Sequence, residues 1–578
     1  MSGADPGGTQ PAFEIGLVAA GAVSAGAFTA GVLDLLFEAM DAFEAAQDGQ
    51  DPANPQVPTH RVALRAMVGA SAGAMNAATV AAWANRAFEP VGIRSVADPE
   101  ARRHNPFAWA WIDQPHITRL LDTGDLKGGA LPSALNGDWL GKAVDQILSP
   151  GTVEGGLAAA TPRARRWLGD LRVRMTVGNL TGTPYLLQFE GSAKIAGGML
   201  DHAEVMDFLV VPSLEKPPAS YLALRGEASS GDPTWAAMGQ AALASGAFPA
   251  ALPFRLLIRP PESRARRPVF VPLGDPAHPN QGSWEVLDPA WDALGDHAGT
   301  MLCVDGGIAN NEPTDLCREA LNLKHDAPLA PSPAEARQAM IMIDPFPEAP
   351  TPGPYAPVRL SAVLAALIAA WKNQARFRPV DIWLAARGDV FSRQLIAPSA
   401  DSKGRPEGAK PLAGAALGGF LGFFERSFRE HDYLLGRHNC RSFLQYYFAV
   451  PVDNLVVRHW AADASGAPTP LARAVMREHG LDEAAGKVPL VWLAPHLRDP
   501  RNPAIDPVPE PPWPRGRFDP APLKPAFSAR IGAVLSLLGR ERGGFWSVAA
   551  KLLGWLPAWW GARQAVVMLE KARDNSRL

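Results

Sequence analysis

Ser71 stands in the pentapeptide Gly69-Ala70-Ser71-Ala72-Gly73, between an apolar run and an alanine-rich one. This G-x-S-x-G spacing is that of a nucleophile elbow, which raises a serine out of a sharp strand-to-helix turn. The serine backbone there takes a positive φ, and the glycines on either side let strand and helix approach where a Cβ would collide. A helix that starts at the serine turns its free amides and its dipole toward charge that develops on attack. A similar stretch upstream, Ala22-Val23-Ser24-Ala25-Gly26, lacks the first glycine and sets a valine before its serine. A β-branched residue is unfavourable in a strained turn, so Ser24 is the weaker nucleophile and its loop suits anion binding better.

A serine hydroxyl needs a partner that takes its proton. In the chain order Ser-acid-His of an α/β-hydrolase, His431, His438 or His496 could formally close a triad. That fold places several strands before its nucleophile, whereas about seventy residues precede Ser71, room for two. The alternative is a Ser-Asp dyad with Asp305, in Val304-Asp305-Gly306-Gly307 at the end of the apolar run Met301–Val304. Functional groups gather at the C-terminal edge of a parallel sheet, where both residues are expected. A carboxylate with an ordinary pKa of about 4 is a weak base, and burial beside the serine would strengthen it. His431-Asp432 is expected on the solvated face of a mixed-charge helix.

The elements that must position these groups follow from the apolar pattern. Glu14–Ala20 and Leu64–Gly69 read as buried strands, each followed by a helix, Ala27–Ala46 and Gly73–Arg86. Strand–loop–helix occurring twice indicates a parallel sheet. Further strands are expected at Val173–Val177, Tyr185–Phe189, Met301–Val304 and Ala339–Ile343, with an irregular cap around residues 190–235. The expected division is an α/β unit at 1–345, a mainly helical extension at 346–494 with helices at Val358–Trp371 and Gly418–Tyr433, a Pro-rich strap at 495–525, and C-terminal helices at 526–578. Ser399–Lys410 reads as a polar connector.

Composition bounds the function. A formal net charge of −3 gives no bulk attraction for nucleic acid. Three cysteines, Cys303, Cys317 and Cys440, form neither a disulfide framework nor a zinc pattern and suit a reducing compartment. No metal or other cofactor is expected. The first residues lack the basic start of a secretory signal. Ile15–Leu33 is uncharged and long, but glycines at 16, 21, 26 and 31 make a buried strand, loop and helix the better reading than a membrane span. A cytoplasmic location is therefore expected.

Together these blocks resemble the patatin-like phospholipase family. Gly21-Ala-Val-Ser-Ala-Gly26-Ala-Phe-Thr-Ala-Gly31-Val-Leu matches the family's glycine-rich loop and helix start, Gly69–Gly73 its elbow, and Asp305-Gly-Gly307 its D-G-G. Ala244-Ser-Gly-Ala-Phe-Pro249 and Asn311-Glu-Pro313 are similar to its A-S-x-A-x-P and N-x-P segments. The resemblance covers roughly Glu14 to Pro345. It implies a three-layer α/β/α domain around a mostly parallel sheet, a Ser71–Asp305 dyad supported by Gly306 and Gly307, and hydrolysis of lipid acyl esters through an acyl-enzyme. The oxyanion hole would come from Gly21, Ala22, Val23 and Ala72. The loop departs from the family's G-G-G-x-R-G, with Ala25 at the arginine position.

Substrate access calls for apolar surface. Phe420, Phe424 and Phe428 recur at i, i+4, as core packing or as the wall of an acyl channel. Trp546, Trp555, Trp559 and Trp560, with Lys551 and Arg563, suit either a helix at a membrane interface or burial against the main domain. Acyl transfer or thioester hydrolysis would use the same dyad. A non-catalytic lipid-binding scaffold is the alternative from another class.

Overall fold

Two strand–loop–helix units open the chain. β1 (Ala12–Ala19) runs through a short turn into α1 (Gly26–Asp48), and β2 (Arg61–Gly69) runs into α2 (Ala72–Trp83). The computed structural model describes residues 12–187, 197–210, 220–259, 267–272, 282–321, 332–347, 393–400, 410–542 and 555–578, apart from 501, 503, 504, 517 and 577, with single positions at 363, 366, 370, 374, 375 and 405.

Later helices are α3 (Asp138–Leu148), α4 (Pro233–Ser245), α5 (Thr314–Ala320) and α6 (Arg426–Ser442), then α7 (Lys524–Arg542) and α8 (Trp555–Ser576). Later strands are β3 (Leu168–Leu187), β4 (Gly197–Val210), β5 (Leu222–Leu224) and β6 (Arg255–Ile258). A separate hairpin, β7 (Arg267–Pro272) with β8 (Gly282–Leu287), precedes β9 (Thr300–Asp305), β10 (Gln338–Ile343) and β11 (Arg393–Ile396).

Nine of these strands form one sheet in the order β11-β10-β1-β2-β3-β4-β5, with β9 paired to β3 and β6 to β9. The pairs from β11 through β3 are all parallel. Side-chain alternation splits the core between the two faces. Phe13, Ile15, Leu17 and Ala19 join the large core on the side of α1 and α2, while Val18, Ala66 and Val68 pack with Leu316 and Cys317 of α5 on the other. Helix, sheet and helix make three layers, and β1, which packs on both, is buried along most of its length.

Three expectations need correction. The segment expected to be an irregular cap contains β4, which pairs antiparallel with β3 over most of its length. The helix expected at Gly418–Tyr433 instead begins at Arg426, after two short turns at Ala413–Gly419 and Leu421–Phe423. His431 and Asp432 are buried, not solvated, and so are Arg429, Arg437 and Arg441 on the same helix. The reason is partners on other elements: Arg437 pairs with Asp34 and Glu38 of α1, Arg441 pairs with Asp506, and Asp432 and Arg429 bond to backbone groups. The two helices also touch backbone to backbone. A Cβ on Gly31 would meet the Tyr433 carbonyl at 1.9 Å, and one on Gly436 would meet that of Phe28 at 2.1 Å.

Val23–Asp48 is long and apolar enough to cross a membrane, but 89% of its most apolar window is buried inside the protein. The helix expected at Val358–Trp371 lies largely outside the described residues, as do Trp546, Lys551 and most of Ser399–Lys410.

Candidate active site

Sheet register brings Ser71 and Asp305 together. Gly69 of β2 lies beside Met175 of β3, and β3 continues past the end of β2 to Val177, which pairs with Asp305. Ser71, two residues beyond Gly69, therefore reaches the level of Asp305. The aspartate was expected on a parallel strand, yet β9 runs antiparallel to β3. It reaches the same edge because β3 overshoots its neighbour.

The local backbone follows from side-chain volume. Ser71 holds φ 52° and ψ −121°, the strained turn of an elbow. A Cβ on Gly69 would lie 2.4 Å from the Gly73 carbonyl carbon, and one on Gly73 would lie 2.0 Å from the Ala19 carbonyl oxygen. Only glycine fits at either position. The Ser71 amide donates to Ser245 Oγ at 2.9 Å, so the end of α4 fixes the turn. Gly306 lies against the Thr176 carbonyl, where a Cβ would come within 2.1 Å.

The Ser71 hydroxyl donates to Asp305 Oδ2 at 2.6 Å, and the Gly307 amide donates to Oδ1 at 2.7 Å. The Asp305 amide donates to the Ala247 carbonyl at 2.9 Å, which ties the carboxylate to the Ala244–Pro249 segment. Burial pushes the Asp305 carboxyl up to about 6, against the bonds from Ser71 and Gly307 that hold it down. A base of that strength is ionised at neutral pH and still accepts a proton readily. Ester turnover is accordingly expected to fall tenfold per pH unit below about 6, as Asp305 protonates. A pH profile of kcat/KM on a short-chain ester checks this, and a rate that stays flat to about pH 4.5 would contradict it.

Of the four expected oxyanion donors, Gly21 is excluded because its amide donates to the Asn311 carbonyl at 3.2 Å. Its missing side chain matters instead: a Cβ there would come 2.3 Å from Asn311 Oδ1 and 3.2 Å from Ser71 Cβ. The amides of Ala22, Val23 and Ala72 donate to no acceptor among the described residues. Val23 and Ala72 line the same cavity as Ser71, and Ala72 opens α2, where the helix dipole favours negative charge. Val23 holds φ 51°, a conformation that costs a β-branched residue about 1–3 kcal/mol.

The cavity encloses about 120 Å³ and runs from Ser71 between α2, α3 and α4. Among its lining residues, only Ser71, Thr79 and Gln114 bring a hydroxyl or an amide. Val144, Ile147 and Leu148 of α3 and Leu243 of α4 make its inner wall, and Gly239 leaves room where a Cβ would meet Val144 at 2.8 Å. Phe248, which is 44% exposed, meets Phe420 edge to face at 5.7 Å. The phenylalanine stripe thus divides. Phe420 lines the cavity, whereas Phe424 and Phe428 pack on Phe518 as core.

The histidines of the alternative triad serve elsewhere. His431 bonds to Asp432, His438 to the Val508 carbonyl, and His496 lies 3.9 Å from Glu38. None of them lines the cavity. Sequence reasoning missed α3 as a wall of the site, although burial of Ala143, Val144, Ile147 and Leu148 at helical spacing was legible there. It also gave Ser245 no individual task.

Residues 17–318 match the family model described as patatin-like phospholipase. A protein of Sinorhizobium fredii (strain NBRC 101917 / NGR234), named uncharacterized protein y4iI, is 29% identical over 543 residues, covering 86% of this chain and 74% of its own. That similarity is longer than the family match and therefore also takes in part of the chain outside residues 17–318.

Proposed function

We propose that this chain, which belongs to the patatin-like phospholipase family, cleaves acyl esters of lipids with Ser71 as nucleophile and Asp305 as its base. The observation that carries this reading is the 2.6 Å bond to a buried carboxylate from the hydroxyl of Ser71, a residue that lines an apolar cavity. Oγ attacks the ester carbonyl as Asp305 takes its proton, and the carbonyl oxygen gains charge beside the Val23 and Ala72 amides. Collapse of the tetrahedral adduct breaks the C–O bond, and the alcohol or lysolipid leaves with the proton from Asp305. Water then attacks the acyl-enzyme with Asp305 again as base, which releases the fatty acid and restores Ser71. One acyl chain fits between α3 and α4, where packing against Val144, Ile147 and Leu243 excludes water. Incubation with defined phospholipids and neutral esters, read as free fatty acid released, tests the reading. Release from none of them would overturn it.

By the same reading residues 1–345 are the catalytic unit, completed by β11 and α6 from the extension at 346–494. The strap at 495–525 leads to the hairpin α7–α8. That hairpin is pinned beside the cavity by buried Arg530, which pairs with Asp125 and donates to the Ser133 and Ala134 carbonyls. Trp559 and Trp560 on α8 are 45% and 61% exposed, with Lys524 and Arg563 over the Trp559 ring. Exposed indoles beside cations suit the headgroup level of a bilayer, so the hairpin docks the cavity mouth on its substrate. Replacing both tryptophans by alanine is expected to weaken binding to anionic phospholipid vesicles about tenfold and to spare hydrolysis of a soluble ester. Co-sedimentation measures the first, and unchanged vesicle binding would contradict it. The three cysteines are free and buried, as a reducing compartment such as the cytoplasm allows.

A further inference from the structure

Of the four non-glycine residues with positive φ among those described, Val23 and Ser71 line the cavity, Ala250 precedes Ala251 of its lining, and Leu417 lies three residues before Phe420 of the same lining. Backbone strain of this kind persists only where surrounding structure holds it. For Val23 the question is what does so, since the arginine expected in its loop is replaced by Ala25.

We propose that Ser24 is a positioning residue for the oxyanion loop, gripped by the segment at residues 413–423, so that the C-terminal extension completes the active site. This rests on the reading that Ser71 and the Val23 amide do the chemistry. The Ser24 side chain is buried, and its hydroxyl donates to the carbonyl of Gly419, 395 residues away. Contact is close on both sides of that bond. A Cβ on Gly422 would meet Ser24 Oγ at 2.4 Å, and one on Gly419 would meet the Ala22 carbonyl at 3.3 Å.

The segment that grips the loop is itself built to hold one shape. Leu417, Gly418 and Gly419 all take positive φ, at 57°, 68° and 92°. At its start the Ala413 and Gly414 amides donate to the two carboxylate oxygens of Asp432, at 2.7 and 2.9 Å. At its end the Gly422 carbonyl accepts from buried Arg429 at 2.6 Å, and the same guanidinium donates to the carbonyl of Ile112, the residue after Trp111 of the cavity lining. Asp432 and Arg429 both belong to α6, which packs on α1, the helix that follows the loop. The path from loop to α1 to α6 to segment closes back on Ser24. The segment also sends Phe420 and Phe423 into the cavity lining. Of its two charged anchors, Asp432 is the one expected from sequence on a solvated helix face.

The test uses the full chain, 4-nitrophenyl butyrate as substrate and a fluorophosphonate as probe, because phosphonylation draws on the same oxyanion donors. Ser24→Ala is expected to lower kcat and the phosphonylation rate constant roughly tenfold or more. KM and the melting temperature should change little. Gly422→Ala, whose Cβ would press on Ser24 Oγ at 2.4 Å and on its Cβ at 3.0 Å, should have a similar effect, and the double variant should lose less than the two single losses combined. Phosphonylation of Ser24→Ala at the wild-type rate would overturn the proposal. So would additive losses in the double variant. Should Ser24→Ala not fold, Gly422→Ala decides instead, and its phosphonylation at the wild-type rate would overturn the proposal. A wild-type protein that neither labels nor hydrolyses would instead refute the serine-hydrolase reading beneath it.

Discussion

Asp305→Asn is expected to lower kcat/KM for ester hydrolysis roughly 10³-fold or more, while the folded protein becomes more stable at alkaline pH. The two effects share one cause. Asparagine can keep both bonds of the site, accepting from the Gly307 amide through its oxygen and meeting Ser71 Oγ with its NH2 group. It cannot take a proton, so the gain from general base catalysis is lost. A donor aimed at Oγ also turns the hydroxyl hydrogen elsewhere; in a Ser-His-Asp triad, where the acid bonds histidine instead of serine, the same Asp→Asn change costs about 10⁴-fold.

Stability moves the other way. The Asp305 carboxyl is pushed up to about 6 in the folded protein, chiefly by burial. A raised acid pKa means that the folded state holds its proton longer than the unfolded one, whose aspartate titrates near 4. The stability linked to that proton is present at acid pH and lost as pH rises through about 6. Above that range the native protein carries a buried charge that the asparagine variant lacks. Thermal melting should place the variant above wild type at about pH 8, with the gap closing toward about pH 4. A variant that is less stable at pH 8, or that retains activity, would contradict the role assigned to Asp305.

Ser71→Ala should have the larger kinetic effect, a loss of roughly 10⁴-fold or more with no acyl-enzyme formed. Alanine adopts the strained φ of 52° at a cost similar to serine, and the amide bond to Ser245 Oγ needs no side chain. The turn and the cavity should therefore survive. The variant is expected to bind a long-chain fatty acid like wild type, measured by displacement of a fluorescent analogue, while releasing none from an ester. Loss of both binding and turnover would mean that Ser71 serves the shape of the site instead of its chemistry.

Much of this was legible in the sequence because elbow chemistry is local. Gly69, Ser71 and Gly73 lie within five residues, Gly69 is needed by a contact inside the strand–turn–helix unit, and Gly73 by one with Ala19 of the adjacent strand β1. Asp305 was legible through its Gly-Gly neighbours and its apolar strand. The direction of that strand was not, because the overshoot of β3 beyond β2 is a property of the assembled sheet. The 413–423 segment was harder still. Its small residues read as an ordinary helix start, and its conformation depends on Asp432 and Arg429, whose partners are backbone groups elsewhere. The burial of α6 was misread for a related reason: Arg437 is solvated or buried according to whether Asp34 and Glu38 face it, and helical periodicity within α6 carries no sign of them. Gly21 shows the limit of matching a motif without coordinates. Its place in the loop implied an oxyanion amide, but the structure gives that amide to Asn311 and uses the glycine for space.

The most direct measurement is peptide mass spectrometry of the full-length protein after reaction with a fluorophosphonate. One adduct, on the peptide that carries Ser71, is expected in wild type, with far slower labelling of Asp305→Asn and none of Ser71→Ala. An adduct on any other residue, or equal labelling of Ser71→Ala, would contradict Ser71 as the nucleophile.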